Sequence, residues 1–400
     1  MNFSILALVV FVGLSGPLLA LRRSWGIPVA VGELAVGMVI GSSGFGLIDA
    51  KDPTLTVLAD IGFGLTMFVV GSHVPLRDRA IRAALGRGAI GAVVVGVAAA
   101  ALGIALSAIF GTGHAALYGV LIASSSAAII LPVVDSLRLT GAGILGLTVQ
   151  VVVADVVCIV AVPLAIDPVH AGRAGLGAVS IGACAVILFV LLRWLDRRGA
   201  LKRFHAVSER QAFALELRVS LLLLFSMAAL AQFTHISIML AGFALGLVIG
   251  GVGEPRRLAR QLFGVTEGFF APLFFVWLGA SIGLRGLIEH PWMIMLGVAL
   301  GAAALIAHLV SRATGLPWLL AMMSAGQLGV PIAAVALGLQ SGLLAPGEDA
   351  AILLGAVLSV FVTTVAGGAY ARRTKVTMAG AQPPSTQAPN TQPPNTQPQG

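Results

Sequence analysis

The sequence predicts an all-α membrane protein with about 13 transmembrane helices, arranged as two inverted six-helix repeats that cross at broken helices. The first observation is composition: 58% of the residues are hydrophobic and 10% are charged, whereas a soluble domain carries about 25% charged residues. The second is that apolar runs of about 20 residues, the length that crosses a bilayer, alternate with charged loops. We therefore expect no soluble domain of any size.

The candidate spans are thirteen apolar runs. The eighth and ninth are separated only by Gln232-Phe-Thr-His235. The predicted bounds are roughly 4–21, 26–48, 55–74, 88–110, 114–135, 142–166, 174–195, 213–233, 235–253, 264–284, 291–311, 316–340 and 349–371.

Lysine and arginine residues predict the orientation of these spans. Of the 24 such residues, all except Lys51, Arg173 and Arg285 fall on one side of the predicted topology. Positive residues concentrate on the cytoplasmic side of membrane proteins. We expect a multi-pass protein of the plasma (bacterial inner) membrane with its N-terminus outside and its C-terminus in the cytoplasm. The net charge of +8 follows from this topology, and no nucleic-acid partner is expected.

The two ends of the chain differ in composition. The N-terminus lacks the positive segment of a signal peptide, so the first apolar run is expected to be a retained span. Residues 1–375 form the predicted transmembrane domain. Residues 376–400 are rich in Pro, Gln and Thr without a hydrophobic period, and are expected to be a disordered cytoplasmic tail. We expect no C-terminal nucleotide-binding domain.

Two spans contain helix-breaking sequences. The fifth contains Ala123-Ser-Ser-Ser-Ala-Ala-Ile-Ile-Leu-Pro132, and the twelfth contains Ser324-Ala-Gly-Gln-Leu-Gly-Val-Pro331. When thirteen spans are divided into six, one and six, both breaks occupy the same place in their halves, which insert with opposite orientation. Matching broken helices in inverted repeats indicate a transport site at the membrane midplane. The alternative interpretation is that these glycines and serines only allow close contact between neighbouring helices.

Asp155 is a single carboxylate near the middle of the sixth span, which runs from roughly Ala142 to Ile166. A carboxylate at this depth usually faces a partner or a water-filled cavity and marks an ion or proton pathway. The alternative is a structural carboxylate that is hydrogen-bonded to a neighbouring helix.

Several motifs follow one another in a family-specific order: residues 28–47, Leu58-Ala-Asp-Ile-Gly62 with Met67-Phe-Val-Val-Gly71, Ala241-Gly-Phe-Ala-Leu-Gly246, and Pro272-Leu-Phe-Phe-Val-Trp-Leu-Gly279. Their order and spacing resemble those of the monovalent cation:proton antiporters, on the Kef/NapA side of the sodium/hydrogen exchanger superfamily. The resemblance covers nearly everything from the first span to the thirteenth.

The resemblance implies a NapA-like antiporter fold: a homodimeric scaffold and a mobile core that holds two crossed, unwound helices. It implies transport of Na⁺ or K⁺ and of H⁺, with no cofactor. The family's acidic transport site, which binds the cation and the proton, falls on Asp155. Its hydroxyl pair in the first unwound helix falls on Ser125 and Ser126, with Ser124 as a neighbouring hydroxyl.

Charged positions of the family are absent from this sequence. Electrogenic members carry a second Asp immediately before the transport-site acid, and this chain has Ala154 there. Their lysine partner in the eleventh span corresponds to a position near Ala303, and residues 292–311 contain no Lys or Arg. Joint loss is physically consistent, because a lone buried charge is heavily penalised. Two further charged groups are missing after Gln327.

Cation and proton are expected to compete at Asp155. Burial disfavours the ionised form of a carboxyl group, whereas a bound Na⁺ or K⁺ favours it. Hard cations prefer oxygen ligands, which the carboxylate, the serine hydroxyls and freed backbone carbonyls could supply. With one ionisable site, one cation is exchanged for one proton, so electroneutral exchange is expected.

Other residues have structural alternatives. Gln150 and Gln327 are candidate contributors to the site. Glu33 is a further candidate, with a structural role near the lipid or subunit boundary as its alternative. His308 could sense pH, because histidine titrates in the physiological range, or could pack between helices.

Two other functions are left open. A Kef-like gated K⁺ efflux system would need a separate regulatory subunit here. A non-transporting sensor or accessory protein is compatible with the missing charged positions. The sequence shows no convergent His, Cys and Asp set of the kind that predicts an enzyme.

Overall fold

The computed structural model describes residues 3–20, 29–41, 44–72, 79–167, 171–201, 215–234, 238–253, 262–282 and 289–380. Within these ranges all regular secondary structure is helical, which confirms the predicted all-α class.

Sixteen helices are described, and some predicted spans consist of two. The first nine are α1 (Phe3–Gly13), α2 (Ser15–Ala20), α3 (Val29–Ile40), α4 (Pro53–Ser72), α5 (Arg79–Phe110), α6 (Ala115–Ala123), α7 (Ala127–Ser136), α8 (Ala142–Ile166) and α9 (Ala171–Arg197). The others are α10 (Leu215–Phe233), α11 (Ile238–Val252), α12 (Ala271–Ser281), α13 (Trp292–Leu309), α14 (Trp318–Met323), α15 (Gly329–Ser341) and α16 (Glu348–Gly380). A π-helical turn, Thr266–Phe270, precedes α12, and a 3-10 turn, Val310–Thr314, follows α13.

Each of the thirteen predicted spans overlaps at least one of these helices. Seven described helical segments are by themselves long and apolar enough to cross a membrane, so the count of 13 crossings stays a prediction. The first span is interrupted at Leu14, between α1 and α2, and this break was not predicted. The last helix is described to Gly380, so the expected start of the tail lies inside it. Residues 381–400 lie outside the described residues, and the division into domain and tail remains a prediction.

The helices form two packed groups, judged by which elements contact each other. The scaffold group consists of α1 to α4 and α10 to α12, with α3 against α12 and α4 against α11. The core group consists of α5 to α8 and α13 to α16, with α5 against both α6 and α8, and α13 against α16. Helix α9 packs on α11 of the scaffold group and on α8 of the core group. Both broken spans belong to the core group.

Backbone contact through glycine characterises the scaffold group. Gly242, Gly246 and Gly250 lie four residues apart on one face of α11, and a Cβ at each would overlap backbone of α4. At Gly246 the overlapped atom is the carbonyl oxygen of Phe68. Small residues let transmembrane helices approach this closely, which gains van der Waals contact where no hydrophobic effect is available. The motif Ala241–Gly246 therefore serves helix packing.

We predict that Gly246→Ala destabilises the protein by about 1–3 kcal/mol, because the added methyl group forces α4 and α11 apart. The measurement is the unfolding temperature in detergent. Gly96→Ala on α5 is the matched control, since a Cβ there meets no atom within 4 Å. Equal unfolding temperatures for the two variants would contradict the close approach of α4 and α11.

Candidate functional site

The two predicted breaks are present, and they contact each other. Residues 124–126 separate α6 from α7, and residues 324–328 separate α14 from α15. The backbone N–H of Ser126 donates a hydrogen bond of 2.8 Å to the carbonyl oxygen of Gly326. Each break therefore supplies a hydrogen-bond partner that the other has lost, which is required where no water is present. This confirms the crossed, broken helices.

Serine hydroxyls satisfy carbonyl groups at the ends of the half-helices. The Ser125 hydroxyl lies 2.7 Å from the carbonyl oxygen of Ser324. The Ser124 hydroxyl lies 2.8 Å from the carbonyl oxygen of Leu121 and 2.5 Å from Oε1 of Gln327. A serine has one hydrogen to donate, so the Ser124 hydroxyl either shares it between the two oxygens or donates it to Leu121 and accepts from a Gln327 amide that is rotated to present its N–H. The serine run thus joins both breaks.

Asp155 lies beside the first break. Its side chain is 4% exposed, and Oδ2 accepts a hydrogen bond of 3.0 Å from the backbone N–H of Ala127. Ala127 is the first residue of α7, and a helix N-terminus carries partial positive charge. A carboxylate at the bilayer centre costs about 2.5–3.5 kcal/mol, and a hydrogen bond to a charged group returns about 1.5–3 kcal/mol. These magnitudes are comparable, so the position suits a carboxylate that ionises.

Most of the other predicted residues meet at the crossing. The Gln150 amide Nε2 lies 3.4 Å from the Ser324 hydroxyl, which connects α8 to the second break. Gln327 lies in the second break itself. Glu33 is the exception: it is buried on α3 in the scaffold group, with its Cγ against Gly16 of α2. Helix α3 packs on α12 and α2, so Glu33 lies outside the crossing, and its contribution to the site stays a prediction.

Three polar side chains at the crossing were not predicted as part of the site. Nε2 of His308, on α13, lies 3.2 Å from the Ser125 hydroxyl. On α16, the Ser359 hydroxyl accepts from the backbone N–H of Gln327 at 3.2 Å, and the Thr363 hydroxyl lies 3.2 Å from the carbonyl oxygen of Met323. Ser359 and Thr363 are four residues apart and share a helix face. That four-residue spacing could have indicated from the sequence that both hydroxyls face the site, but it is equally typical of ordinary helix–helix contacts.

We predict that Gly326→Ala strongly slows the cation–proton exchange that the sequence leads us to expect, because a Cβ there would lie 2.6 Å from Oγ1 of Thr363 and would displace the second break from the first. Gly329→Ala is the control, since a Cβ at Gly329 meets no atom within 4 Å. Rates are measured in proteoliposomes. Adding Thr363→Ala should restore part of the loss, and identical rates for the two glycine variants would contradict the tight crossing.

Known proteins share the sequence pattern along the chain. Residues 6–372 match the family described as "Sodium/hydrogen exchanger, transmembrane". The Na(+)/H(+)-K(+) antiporter GerN of Bacillus cereus is 24% identical over 364 residues, covering 84% of this chain and 88% of GerN. The glutathione-regulated potassium-efflux system protein KefC of Salmonella heidelberg (strain SL476) is 27% identical over 387 residues, covering 91% of this chain and 60% of KefC.

A solved structure shares the fold. The sodium proton antiporter MjNhaP1 from Methanocaldococcus jannaschii superposes with a TM-score of 0.58 at 16% sequence identity, covering 94% of this chain and 96% of that one. This likeness shows the antiporter fold, including the predicted fold class. Because the family match extends over residues 6–372, the chain belongs to the sodium/hydrogen exchanger family.

Proposed function

We propose that this chain exchanges a monovalent cation, Na⁺ or K⁺, for H⁺ across the plasma membrane, with both ions competing for Asp155. The observation that supports this most is the position of the carboxylate, at the N-terminus of a broken half-helix and next to the serine run. Ser125 and Ser126 are the proposed co-ligands. Ser124, Gln150 and Gln327 hold the crossing together and are candidate contributors of oxygen atoms.

The proposed exchange is electroneutral. Asp155 carries either a proton or a monovalent cation, so the loaded site has the same net charge in both directions. The neighbouring position is Ala154, which is buried, and Ala303 is buried in the hydrophobic core. Neither residue can form the Asp–Lys ion pair that electrogenic members of the family carry in this region.

The two packed groups suggest how access alternates. In this proposal the core group moves against the scaffold group, carrying Asp155 from one side to the other, and α9 links them. The scaffold group's glycine contacts leave little room for internal rearrangement. We propose that this group forms the homodimer contact, with the N-terminus outside and the C-terminus in the cytoplasm.

The names of the relatives supply a second candidate. GerN is a Na⁺/H⁺-K⁺ antiporter, which supports exchange of either cation. KefC is a potassium-efflux system, and its similarity favours a gated K⁺ efflux function as the alternative, with a separate regulatory subunit. The chain spans 60% of the length of KefC. A gated channel would conduct K⁺ without proton coupling. A non-transporting sensor, the other alternative left open by the sequence, would neither conduct K⁺ nor move protons.

We predict that Asp155→Asn abolishes cation-driven proton movement, because an amide cannot exchange a proton for a cation. The measurement is the fluorescence of a pH-gradient probe in proteoliposomes after addition of Li⁺, Na⁺, K⁺ or Rb⁺. Asp60→Asn is the matched control: Asp60 is a half-buried carboxylate on α4, and its Oδ1 accepts from Gln340 at 3.4 Å. Retained coupling in Asp155→Asn would remove Asp155 from the mechanism.

We predict that the wild-type protein produces no sustained cation-driven current on a solid-supported membrane, although it dissipates a pH gradient. The physical reason is that one cation replaces one proton on a single carboxylate. A robust current that follows the cation gradient would contradict one-for-one exchange. Conduction of K⁺ without proton movement would favour the channel instead.

A further inference from the structure

We propose that His308 is a positioning residue for the cation site: together with the Ser324 carbonyl, it keeps the hydrogen of the Ser125 hydroxyl pointing away from the cation. This inference rests on the proposed function, because it concerns how the first break offers oxygen lone pairs to a cation. It starts from two contacts of one ring: Nδ1 of His308 lies 2.8 Å from the carbonyl oxygen of Ala304, and Nε2 lies 3.2 Å from the Ser125 hydroxyl.

The first contact fixes the tautomer of the ring. A carbonyl oxygen only accepts hydrogen bonds, so Nδ1 of His308 must carry the hydrogen that points to Ala304. In the neutral ring the other nitrogen then has a lone pair and accepts. His308 is fully buried, with 0% exposure, so solvent supplies no alternative partner and a positive charge on the ring would be costly. The ring therefore presents an acceptor to Ser125.

The second contact gives the Ser125 hydroxyl two acceptors. They are Nε2 of His308 at 3.2 Å and the carbonyl oxygen of Ser324 at 2.7 Å. The hydroxyl has one hydrogen, which is directed to one acceptor or shared between them. In either case the hydrogen points toward α13 and the second break. What Ser125 presents to any third group is its oxygen lone pairs.

A cation requires this orientation. Na⁺ and K⁺ bind oxygen lone pairs, and a hydroxyl whose hydrogen pointed at the ion would repel it. Ser125 is two residues before Ala127, whose N–H holds the Asp155 carboxylate. Fixing the Ser125 hydrogen thus prepares a neutral oxygen ligand close to the charged one before the ion arrives, which lowers the cost of ordering the site on binding.

Two substitutions separate the two contacts of the ring. His308→Gln places its amide near the position of Nε2, so it retains an acceptor for Ser125 and loses the bond to Ala304. His308→Asn places its amide near the position of Nδ1, so it retains the bond to Ala304 and loses the contact with the Ser125 hydroxyl. His290→Asn is the control, since His290 is an exposed histidine just before the start of the same helix.

The measurement is the apparent Kd for Na⁺ and K⁺, obtained from cation-induced thermal stabilisation of the purified full-length protein. We expect His308→Asn to weaken Kd by about threefold to tenfold, the equivalent of one lost hydrogen bond. His308→Gln should stay close to wild type. In a Ser125→Ala background, His308→Asn should have no further effect on Kd, because the proposed role acts through that hydroxyl.

Three results would overturn the proposal: an unchanged Kd in His308→Asn, equal weakening in the Gln and Asn variants, or the same weakening in the Ser125→Ala background. If neither His308 variant folds, ¹⁵N NMR of the wild-type histidines decides, since a His308 ring with its hydrogen on Nε2 is incompatible with the proposed role. Failure of the proposed function is a separate result: wild-type protein would show no stabilisation by Li⁺, Na⁺, K⁺ or Rb⁺ and no pH-gradient dissipation.

Discussion

The hydrogen bond between Ser126 N–H and the Gly326 carbonyl is the contact on which the rest of the core group depends. A helix that breaks inside hydrocarbon leaves N–H and C=O groups without partners, and each costs several kcal/mol if it stays unpaired. Two breaks that meet can pair their orphaned groups, which makes the crossing a joint requirement. The Ser125 hydroxyl donates to the Ser324 carbonyl at the end of one half-helix. The Asp155 carboxylate accepts from the Ala127 N–H at the start of another.

The two groups of helices solve the packing problem in different ways. In the scaffold group, glycines bring backbones into contact along α4 and α11, an arrangement that tolerates little sliding. In the core group, serine, threonine and amide side chains join the two breaks to α8, α13 and α16. Polar side chains can exchange one partner for another, whereas interlocked backbones cannot. An ion that exchanges places with a proton needs the polar side-chain packing of the core group.

Sequence patterns predicted both breaks and Asp155, because a serine run, a glycine and a proline inside an apolar segment are local signals. They did not predict that His308 contacts Ser125, which is 183 residues away in the chain, since that contact exists only after α13 packs on α6. The break at Leu14 was missed because its flanks are apolar. Glu33 was a further candidate because of its motif, with a structural role as its alternative, and the motif does not say which helix α3 packs against.

The polar side chains that contact one another at the crossing, apart from Asp155, are serine, glutamine and one histidine whose ring donates to Ala304. Serine and glutamine are uncharged and burial disfavours a charge on the His308 ring, so in the proposed exchange the charge at the crossing depends on what Asp155 holds. By the family resemblance, Ala154 stands at the position of the second Asp of electrogenic members, and Ala303 stands near the position of its lysine partner; both alanines are buried. Removing that pair costs nothing electrostatically when both members go together, whereas removing one would leave an uncompensated charge. In the proposed exchange, cation and proton still compete at Asp155 but no second charge moves, which is why we expect the exchange to be insensitive to membrane voltage.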